Sequence, residues 1–295
     1  MSESLNFERH SVFWPHHQWS QIIKTQSCLW HVQIAGQGPP LLLLHGTGAS
    51  THTWAGLLPL LVDKFTIIAP DLPGQGFTKA LDKNCFSMTG MAESLSSLLK
   101  KLKFSPAFCI GHSAGAALLV RMTLDARIKP LSMISINGAF FPFGGALTSF
   151  FAPLAKLLAL NPLVPHLFTW GAKDRSSVKR LLSSTGSIIP ETSLDLYQRL
   201  FRCPSHVSST LAMMASWDLE TLLKDIPKLS VPLLLVVGEK DKTIPAEDGS
   251  RLTTLVHGST LEQLQNLGHL AHEEDPERVA QAILRFLQHM QPRNI

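Results

Sequence analysis

The chain has few charged residues. Asp, Glu, Lys and Arg make up 16% of its 295 residues, hydrophobic residues make up 45%, and the formal net charge is +4. No lysine- or arginine-rich run and no interleaved aromatic stripe is present, so the sequence does not favour nucleic-acid binding. A chain of this length and composition can bury a sizeable core, either as one large α/β domain with an insertion or as two small domains.

Cysteine is also scarce, and no spacing typical of a metal site is present. The four scattered cysteines predict free thiols in a reducing compartment. Neither His16-His17 nor His272-Glu273-Glu274 has zinc-ligand spacing, so we expect no metal and no cofactor. The first residues lack a basic region followed by an apolar one, so we expect a cytoplasmic protein without a secretory signal. The cysteines are Cys28, Cys85, Cys109 and Cys203.

One long segment is almost free of charge. Between Lys129 and Lys173 the only charged residue is Lys156, and the segment is rich in Phe and Leu. It is interrupted by Pro142, Pro153, Pro162 and Pro165, so no continuous membrane-spanning helix fits. The uncharged segment has three interpretations: ordinary buried helices, an apolar lid over a hydrophobic substrate, or a surface that contacts a membrane. We favour the lid, and peripheral membrane contact stays open beside it.

Apolar strands alternate with helical patterns along most of the chain. Runs that are apolar on both faces are typical of parallel strands covered by helices. The alternation predicts an α/β fold, a mostly parallel twisted sheet with helices on both faces. Because the gap from Gly138 to Leu222 lacks such a strand, we expect a core over 1–138 and 223–295 and an apolar helical lid over 139–222. The predicted strands are Leu29–Ile34, Leu41–Leu44, Phe65–Ala69, Phe108–Ile110, Leu131–Ile136 and Leu233–Val237, and the predicted helices are Trp54–Val62, Met88–Leu102, Ala114–Leu124, Ala246–Leu255 and Pro276–His289.

The segment Gly111-His112-Ser113-Ala114-Gly115 joins one predicted strand to one predicted helix. This Gly-x-Ser-x-Gly pattern is typical of a tight turn that exposes the serine, and the glycines let strand and helix approach closely. Ser113 would lie at a helix N-terminus, where free N–H groups and the helix dipole stabilise an oxyanion. The pattern therefore predicts a nucleophilic serine.

A serine nucleophile needs a base, and the base needs an acid that orients it. Asp241 lies four positions after Val237 at a strand end, and His269 follows Gly268 shortly before the last helix. The order serine, acid, histidine is the one expected for this fold. We predict the catalytic residues Ser113, Asp241 and His269. The alternatives are Glu239 and Asp248 for the acid, and His257 and His272 for the base.

An oxyanion hole needs two backbone N–H groups that point at one atom. Ala114 would supply one, and Thr47, in the loop His45-Gly46-Thr47-Gly48, would supply the second. A nucleotide-binding interpretation of this loop fails because the lysine of a P-loop is missing. The later loop Asp71–Phe77 favours a structural turn over a catalytic site.

Together these motifs resemble the α/β-hydrolase superfamily over nearly the whole chain. The resemblance implies a lid inserted after the sixth strand of that superfamily's sheet. Ser113 argues against haloalkane dehalogenases and epoxide hydrolases, whose nucleophile is aspartate. Esterases, thioesterases, C–C bond hydrolases, acyltransferases and cofactor-free haloperoxidases stay open. The resemblance rests on the loop His45-Gly46, the pattern Asp71-x-x-Gly74-x-Gly76, the Ser113 turn, Asp241 and His269.

Motifs of the core and of the predicted lid resemble a narrower group, the magnesium-chelatase accessory proteins of bacteriochlorophyll biosynthesis. That resemblance implies a tetrapyrrole ligand, magnesium-chelatase subunits as partners and contact with the photosynthetic membrane. We expect an esterase-like serine hydrolase of a hydrophobic substrate; the alternative is a non-catalytic porphyrin-binding or delivery protein on the same scaffold. The motifs include Asn161–Pro165, Thr185-Gly186-Ser187, Leu211–Leu219 and Gly268–Glu274. The predicted substrate-binding residues are His45, Gly46, His112, Phe140 and Trp217, with Phe141, Phe143, Met213 and Met214 as further wall candidates.

Overall fold

A single sheet forms the centre of the computed structural model, which describes residues 5–142, 161 and 163–288. Within these residues the sheet has nine strands in the order β1-β2-β4-β3-β6-β7-β8-β9, and β5 pairs with β2. Strands β3, β4 and β6–β9 are parallel, whereas β2 is antiparallel to β1, β4 and β5. The strands are β1 Ser20–Lys24, β2 Cys28–Ala35, β3 Pro40–Leu44, β4 Thr66–Pro70, β5 Lys79–Ala80, β6 Phe108–His112, β7 Ser132–Ile136, β8 Leu233–Gly238 and β9 Ser259–Leu264.

Helices cover both faces of this sheet, which confirms the predicted α/β fold. Among the residues that the structure describes, five further α-helices lie between β7 and β8. In chain order the α-helices are α1 Phe7–His10, α2 Leu58–Leu61, α3 Met88–Lys101, α4 Ala114–Leu124, α5 Leu163–Gly171, α6 Arg175–Ser183, α7 Glu191–Phe201, α8 Pro204–Ser216, α9 Leu219–Asp225, α10 Ala246–Leu255, α11 Ala271–Glu274 and α12 Pro276–Gln288. The 3-10 helices are Ser11–Phe13, His17–Trp19, Thr51–Trp54, Lys83–Phe86 and Ile226–Lys228.

One predicted helix differs from the structure, and three strands were not predicted. The segment Trp54–Val62 is not one helix: a 3-10 turn ends at Trp54 and α2 begins at Leu58, because Gly56 and Pro59 interrupt the helical pattern. Strands β1, β5 and β9 were not predicted. Strand β9 is an edge strand in which only Leu264 is buried, so a search for continuous apolar runs misses it.

The central strands β3, β4, β6, β7 and β8 bury both of their faces. Alternate residues of β3 point to opposite sides, so Leu41 and Leu43 join one apolar cluster, whereas Leu42 and Leu44 join the other. The first cluster includes α2 and α12, and the second includes α3 and α4. Burial of each such leucine contributes about 1.5–3 kcal/mol. This two-sided core fixes the carboxyl ends of the parallel strands, where the loops described below begin.

The helices between β7 and β8 pack on the core through a third apolar cluster. It joins Leu182 of α6 and Leu200 of α7 to Phe77 and Leu270 of the core. Ala139 and Phe140 are buried directly after β7, and the proposed boundary of a lid over 139–222 falls beside them. Phe143, a predicted wall residue, lies outside the described residues. No helix among the described residues has the length and apolar character needed to cross a membrane.

Candidate active site

Ser113 lies at a strained corner between β6 and α4. Its backbone has φ 50° and ψ −117°, a conformation that costs about 1–3 kcal/mol and persists only where the surroundings impose it. The Ser113 amide donates to the Ile136 carbonyl oxygen at 3.0 Å. A Cβ on Gly111 would lie 2.4 Å from the Ala116 nitrogen, and one on Gly115 would lie 2.1 Å from the Leu44 oxygen. Glycine is therefore required on both sides of Ser113.

Asp241 and His269 are in direct contact. The Nδ1 atom of His269 donates to Oδ2 of Asp241 at 2.7 Å. The other carboxylate oxygen, Oδ1, accepts from the amides of Thr243 and Ile244 at 2.7 and 2.8 Å. These backbone bonds fix the carboxylate in a buried position after β8. The imidazole is thereby held in one orientation.

The alternative acids and bases lie elsewhere. Glu239 accepts from the amide of Asn266, Asp248 pairs with Arg251, and the ring of His272 bonds the Thr53 hydroxyl. His257 is exposed in the short turn between α10 and β9. Among the predicted candidates, the structure therefore brings only Asp241 and His269 together.

The backbone of His269 is held from the sheet side. Asn137 Nδ2 donates to the carbonyl oxygens of Gly268 and His269 at 2.9 and 2.7 Å, while its Oδ1 accepts from the Gly238 amide at 2.7 Å. The Nε2 atom of His112 donates to the same His269 oxygen at 2.9 Å. Burial and the neighbouring His272 and His269 rings lower the pKa of His112 well below its ordinary value, so its ring is neutral. Asn137 was not among the predicted site residues.

Thr47 and Ala114 lie on the wall of the cavity that also contains Ser113. Ala114 is the first residue of α4, and first-turn amides of a helix lack acceptors within it. Beyond Thr47, the amide of Gly48 donates to Oε1 of Gln75 at 2.8 Å, and that of Ala49 donates to Gly46 at 3.2 Å. These bonds hold the Thr47 loop in place beside the serine.

His45 and Gly46 support this loop and do not line the cavity. His45 is fully buried; its Nδ1 donates to the Gly46 oxygen at 2.8 Å, and its Nε2 accepts from the Leu72 amide at 2.9 Å. A Cβ on Gly46 would lie 2.7 Å from His112 Nδ1 and 3.1 Å from Ser113 Cβ. The expectation of direct substrate contact is therefore corrected for both residues: backbone partners occupy the His45 ring, and Gly46 permits close packing.

A cavity of about 930 Å³ lies between the core and the helices that follow β7. Ser113, His112 and His269 form its floor, and Trp217 lies on its wall as predicted. Phe140 does not line it, because its ring packs into the core cluster beside a void of about 10 Å³. The apolar residues of the described wall include Phe168, Leu181, Leu182, Phe201, Val207, Leu211, Met213, Met214 and Leu219, and its charged residues are Asp218 and Glu220.

His206 and Asp71 organise the loops beneath the cavity. His206 Nε2 donates to the Gly48 oxygen and its Nδ1 accepts from the Gly76 amide, both at 3.1 Å; burial lowers its pKa to about 4. Burial alone would raise the pKa of Asp71, but His31 and the Phe77 amide hold it at about 2. Asp71 therefore has the structural role that the sequence favours. The described residues contain no group of three or more His, Cys, Asp or Glu side chains that could hold a metal ion.

A buried carboxyl joins the core to α7. Oε1 of Glu273 accepts from Oγ1 of Thr53 and from the hydroxyl of Tyr197, at 2.5 and 2.7 Å. Oε2 of Glu273 is buried without a hydrogen-bond partner. Burial raises the pKa of Glu273 from 4.5 to about 7, against the lowering effect of those hydrogen bonds. Its sequence position gave no signal of this network.

We expect Glu273 to make stability depend on pH. A raised pKa favours the folded state below pH 4.5, and this contribution is lost as pH rises through about 7. The shift corresponds to about 3 kcal/mol. Glu273→Gln should remove this dependence. Between pH 4.5 and 7.5 the free energy of unfolding of the wild type should therefore fall relative to that of the variant. Urea unfolding at several pH values measures it. Exposed Glu277→Gln is the control, and parallel curves for wild type and Glu273→Gln would contradict the expectation.

The comparisons with known proteins agree with this fold. The model of the alpha/beta hydrolase family matches residues 41–282, so the chain belongs to that family. The magnesium-chelatase 30 kDa subunit of Rhodobacter capsulatus is 34% identical over 93% of this chain and 96% of that protein. The soluble epoxide hydrolase of Corynebacterium sp. (strain C12) is 26% identical over 87% of this chain and 92% of that protein. The crystal structure of an alpha/beta hydrolase fold protein from Burkholderia ambifaria superposes with a TM-score of 0.73 at 21% identity, over 90% of this chain and 99% of that one.

Proposed function

We propose that this hydrolase-family protein is a serine hydrolase with a triad of Ser113, His269 and Asp241. The single observation that carries the proposal is the 2.7 Å hydrogen bond between His269 and Asp241, made beside a serine held at a strained strand-to-helix corner. A histidine oriented by a buried carboxylate is the base that a serine hydroxyl needs. An aspartate nucleophile, as expected of an epoxide hydrolase, is not present at position 113.

The reaction is acyl transfer in two steps. His269 takes the proton of the Ser113 hydroxyl as Oγ attacks the acyl carbon, and Asp241 stabilises the resulting imidazolium. The amides of Thr47 and Ala114 donate to the oxyanion. The tetrahedral intermediate collapses, His269 gives the proton to the leaving group, and the acyl group stays on Ser113. A water molecule, deprotonated by His269, then releases the acid and restores the serine.

The substrate in this proposal is hydrophobic and large. A cavity of about 930 Å³ with a mostly apolar described wall has the size and character of a small-molecule site. The relationship to the magnesium-chelatase 30 kDa subunit supports a tetrapyrrole ester of bacteriochlorophyll biosynthesis as the substrate class and magnesium-chelatase subunits as partners. His112 on the floor of the cavity and Trp217 on its wall are the proposed contacts with the substrate.

Hydrolysis of porphyrin methyl esters, followed by chromatography of the released acid, tests this proposal. We expect turnover by the wild type and none by Ser113→Ala. A binding protein is the second candidate, because the named relative is a subunit and the cavity fits a ligand without chemistry. Tight porphyrin binding that quenches Trp217 fluorescence, with pigment formation restored equally by wild type and Ser113→Ala, would support the binding role and contradict the hydrolase.

We also propose that α5 contacts a membrane peripherally. Leu163, Leu167 and Trp170, spaced along one stripe of the helix, are 65%, 68% and 71% exposed. Phe168 and Met214 are exposed on the cavity wall nearby, so the stripe lies close to the cavity that would receive a lipid-dissolved substrate. Apolar and Trp side chains on one helix face bind the interface of a bilayer.

Flotation with phosphatidylcholine–phosphatidylglycerol vesicles measures this contact. Leu167→Gln combined with Trp170→Gln should lower the vesicle-bound fraction severalfold, because each change removes exposed apolar area that would enter the interface. The matched control is Lys179→Gln in α6, an exposed polar position. Equal flotation of the wild type and the double variant would contradict the proposal.

A further inference from the structure

Residues Thr185–Ser187, here called the strap, connect α6 toward α7 and lie against the loop that carries Asp241. The amide of Lys242 donates to the Thr185 oxygen at 3.0 Å. Gly186 has φ +87°, and a Cβ there would lie 1.9 Å from the Lys240 oxygen. The strap therefore contacts the backbone immediately before and immediately after Asp241, at a distance that only glycine allows.

The same strap also lies against the loop that carries His269. Oγ of Ser187 accepts from the Leu270 amide at 2.8 Å, and the Ser187 side chain is buried. A Cβ on Gly268 would lie 2.4 Å from the carbonyl carbon of Gly186 and 2.6 Å from the Ser187 nitrogen. Residues on both sides of His269 thus touch the strap, as do the residues on both sides of Asp241.

These contacts complement those made from the sheet. Asn137 and His112 hold the carbonyl side of the His269 backbone, whereas Ser187 holds the amide that follows it. The loops of Asp241 and His269 meet through their 2.7 Å side-chain hydrogen bond and through the Lys240 amide, which donates to the Leu267 oxygen at 2.7 Å. Anchors on both sides of the His269 backbone help to keep that geometry, because small displacements of reacting groups are costly to rate. The strap is the anchor that comes from the segment between β7 and β8.

We propose that the strap is a positioning element of the catalytic site, and that Ser187 is a positioning residue that acts on His269 through the Leu270 amide. The inference rests on the proposed triad. The strap also connects the cavity to the triad, because Thr185 of the strap lines the cavity together with Leu182 and Ser184, which precede it. A ligand that fills the cavity therefore touches the segment that aligns Asp241 with His269.

The test compares Ser187→Ala with the wild type and with Ser183→Ala, a control at an exposed position in the same segment. The first readout is inactivation by a fluorophosphonate. In Ser187→Ala the maximal inactivation rate should fall by about ten- to a hundredfold, while the reagent concentration that gives half-maximal rate stays unchanged. The second readout is the downfield proton NMR signal of the His269 Nδ1 hydrogen. In Ser187→Ala this signal should shift or broaden at temperatures well below the melting temperature, where the variant is folded.

The outcomes separate this inference from the proposed function. If the wild type does not react at Ser113, the proposed function fails, and the strap then has no triad to position. If the wild type reacts and Ser187→Ala reacts at the same rate with an unchanged Nδ1 signal, the inference is overturned while the triad stands. A lower melting temperature with an unchanged rate and signal would make Ser187 merely structural, which also overturns it.

Discussion

Replacing Ser113 by alanine should lower turnover of an ester substrate by on the order of 10⁵- to 10⁶-fold, as loss of a triad member does in other serine hydrolases. The change removes the atom that forms the acyl intermediate and leaves the turn intact, because its backbone bonds to Ile136 and Ala139 do not involve the hydroxyl. Initial rates with an activated ester, on protein whose circular dichroism matches the wild type, measure it.

His269→Ala should have an effect of similar size, and the double variant should be little worse than either single one. Groups that act as one unit are strongly non-additive. If Ser113→Ala retained more than a hundredth of wild-type turnover, another group would be the nucleophile, and the proposed mechanism would be wrong.

Replacing Asp241 by asparagine should lower turnover by about 10⁴-fold. The amide oxygen can still accept from Thr243 and Ile244, so the loop keeps its shape. The amide nitrogen, which now faces Nδ1 of His269, donates a hydrogen bond and favours the tautomer that cannot take the Ser113 proton. The effect is therefore expected on the chemical step.

Glu239→Gln is the matched control for Asp241→Asn. Glu239 is an exposed acid two residues earlier in the same loop and accepts from the Asn266 amide. Turnover of this variant should stay within about twofold of the wild type, because surface changes away from the site have small effects. Comparable losses in the two variants would show that loop stability, and not histidine orientation, governs the rate.

The local parts of the fold were predictable from the sequence. Helix α4 begins and ends at the predicted residues, Ala114 and Leu124, because apolar periodicity and the Gly-x-Ser-x-Gly turn are both encoded within a few residues. The choice of Asp241 over Glu239 depended on its place relative to β8. Strand β9 escaped prediction because an edge strand needs apolar residues on only one face.

The long-range contacts could not be predicted in the same way. His45 was expected to touch substrate, but its ring bonds Leu72, which lies 27 positions away. Ser187 approaches Leu270 across 83 positions, and no local pattern indicates that pairing. The sequence also does not show why residues 186 and 268 must be glycine. The overlap that a Cβ would make at these positions appears only when the strap and the His269 loop are packed together.

Fluorophosphonate labelling with identification of the modified peptide tests the central claim most directly. The reagent reacts with a serine that a base and an oxyanion hole activate. The account predicts rapid labelling of the wild type at Ser113, no adduct at that position in Ser113→Ala, and a strongly reduced rate in His269→Ala. Folded wild-type protein that stays unlabelled at Ser113, or that labels equally fast without His269, would contradict it.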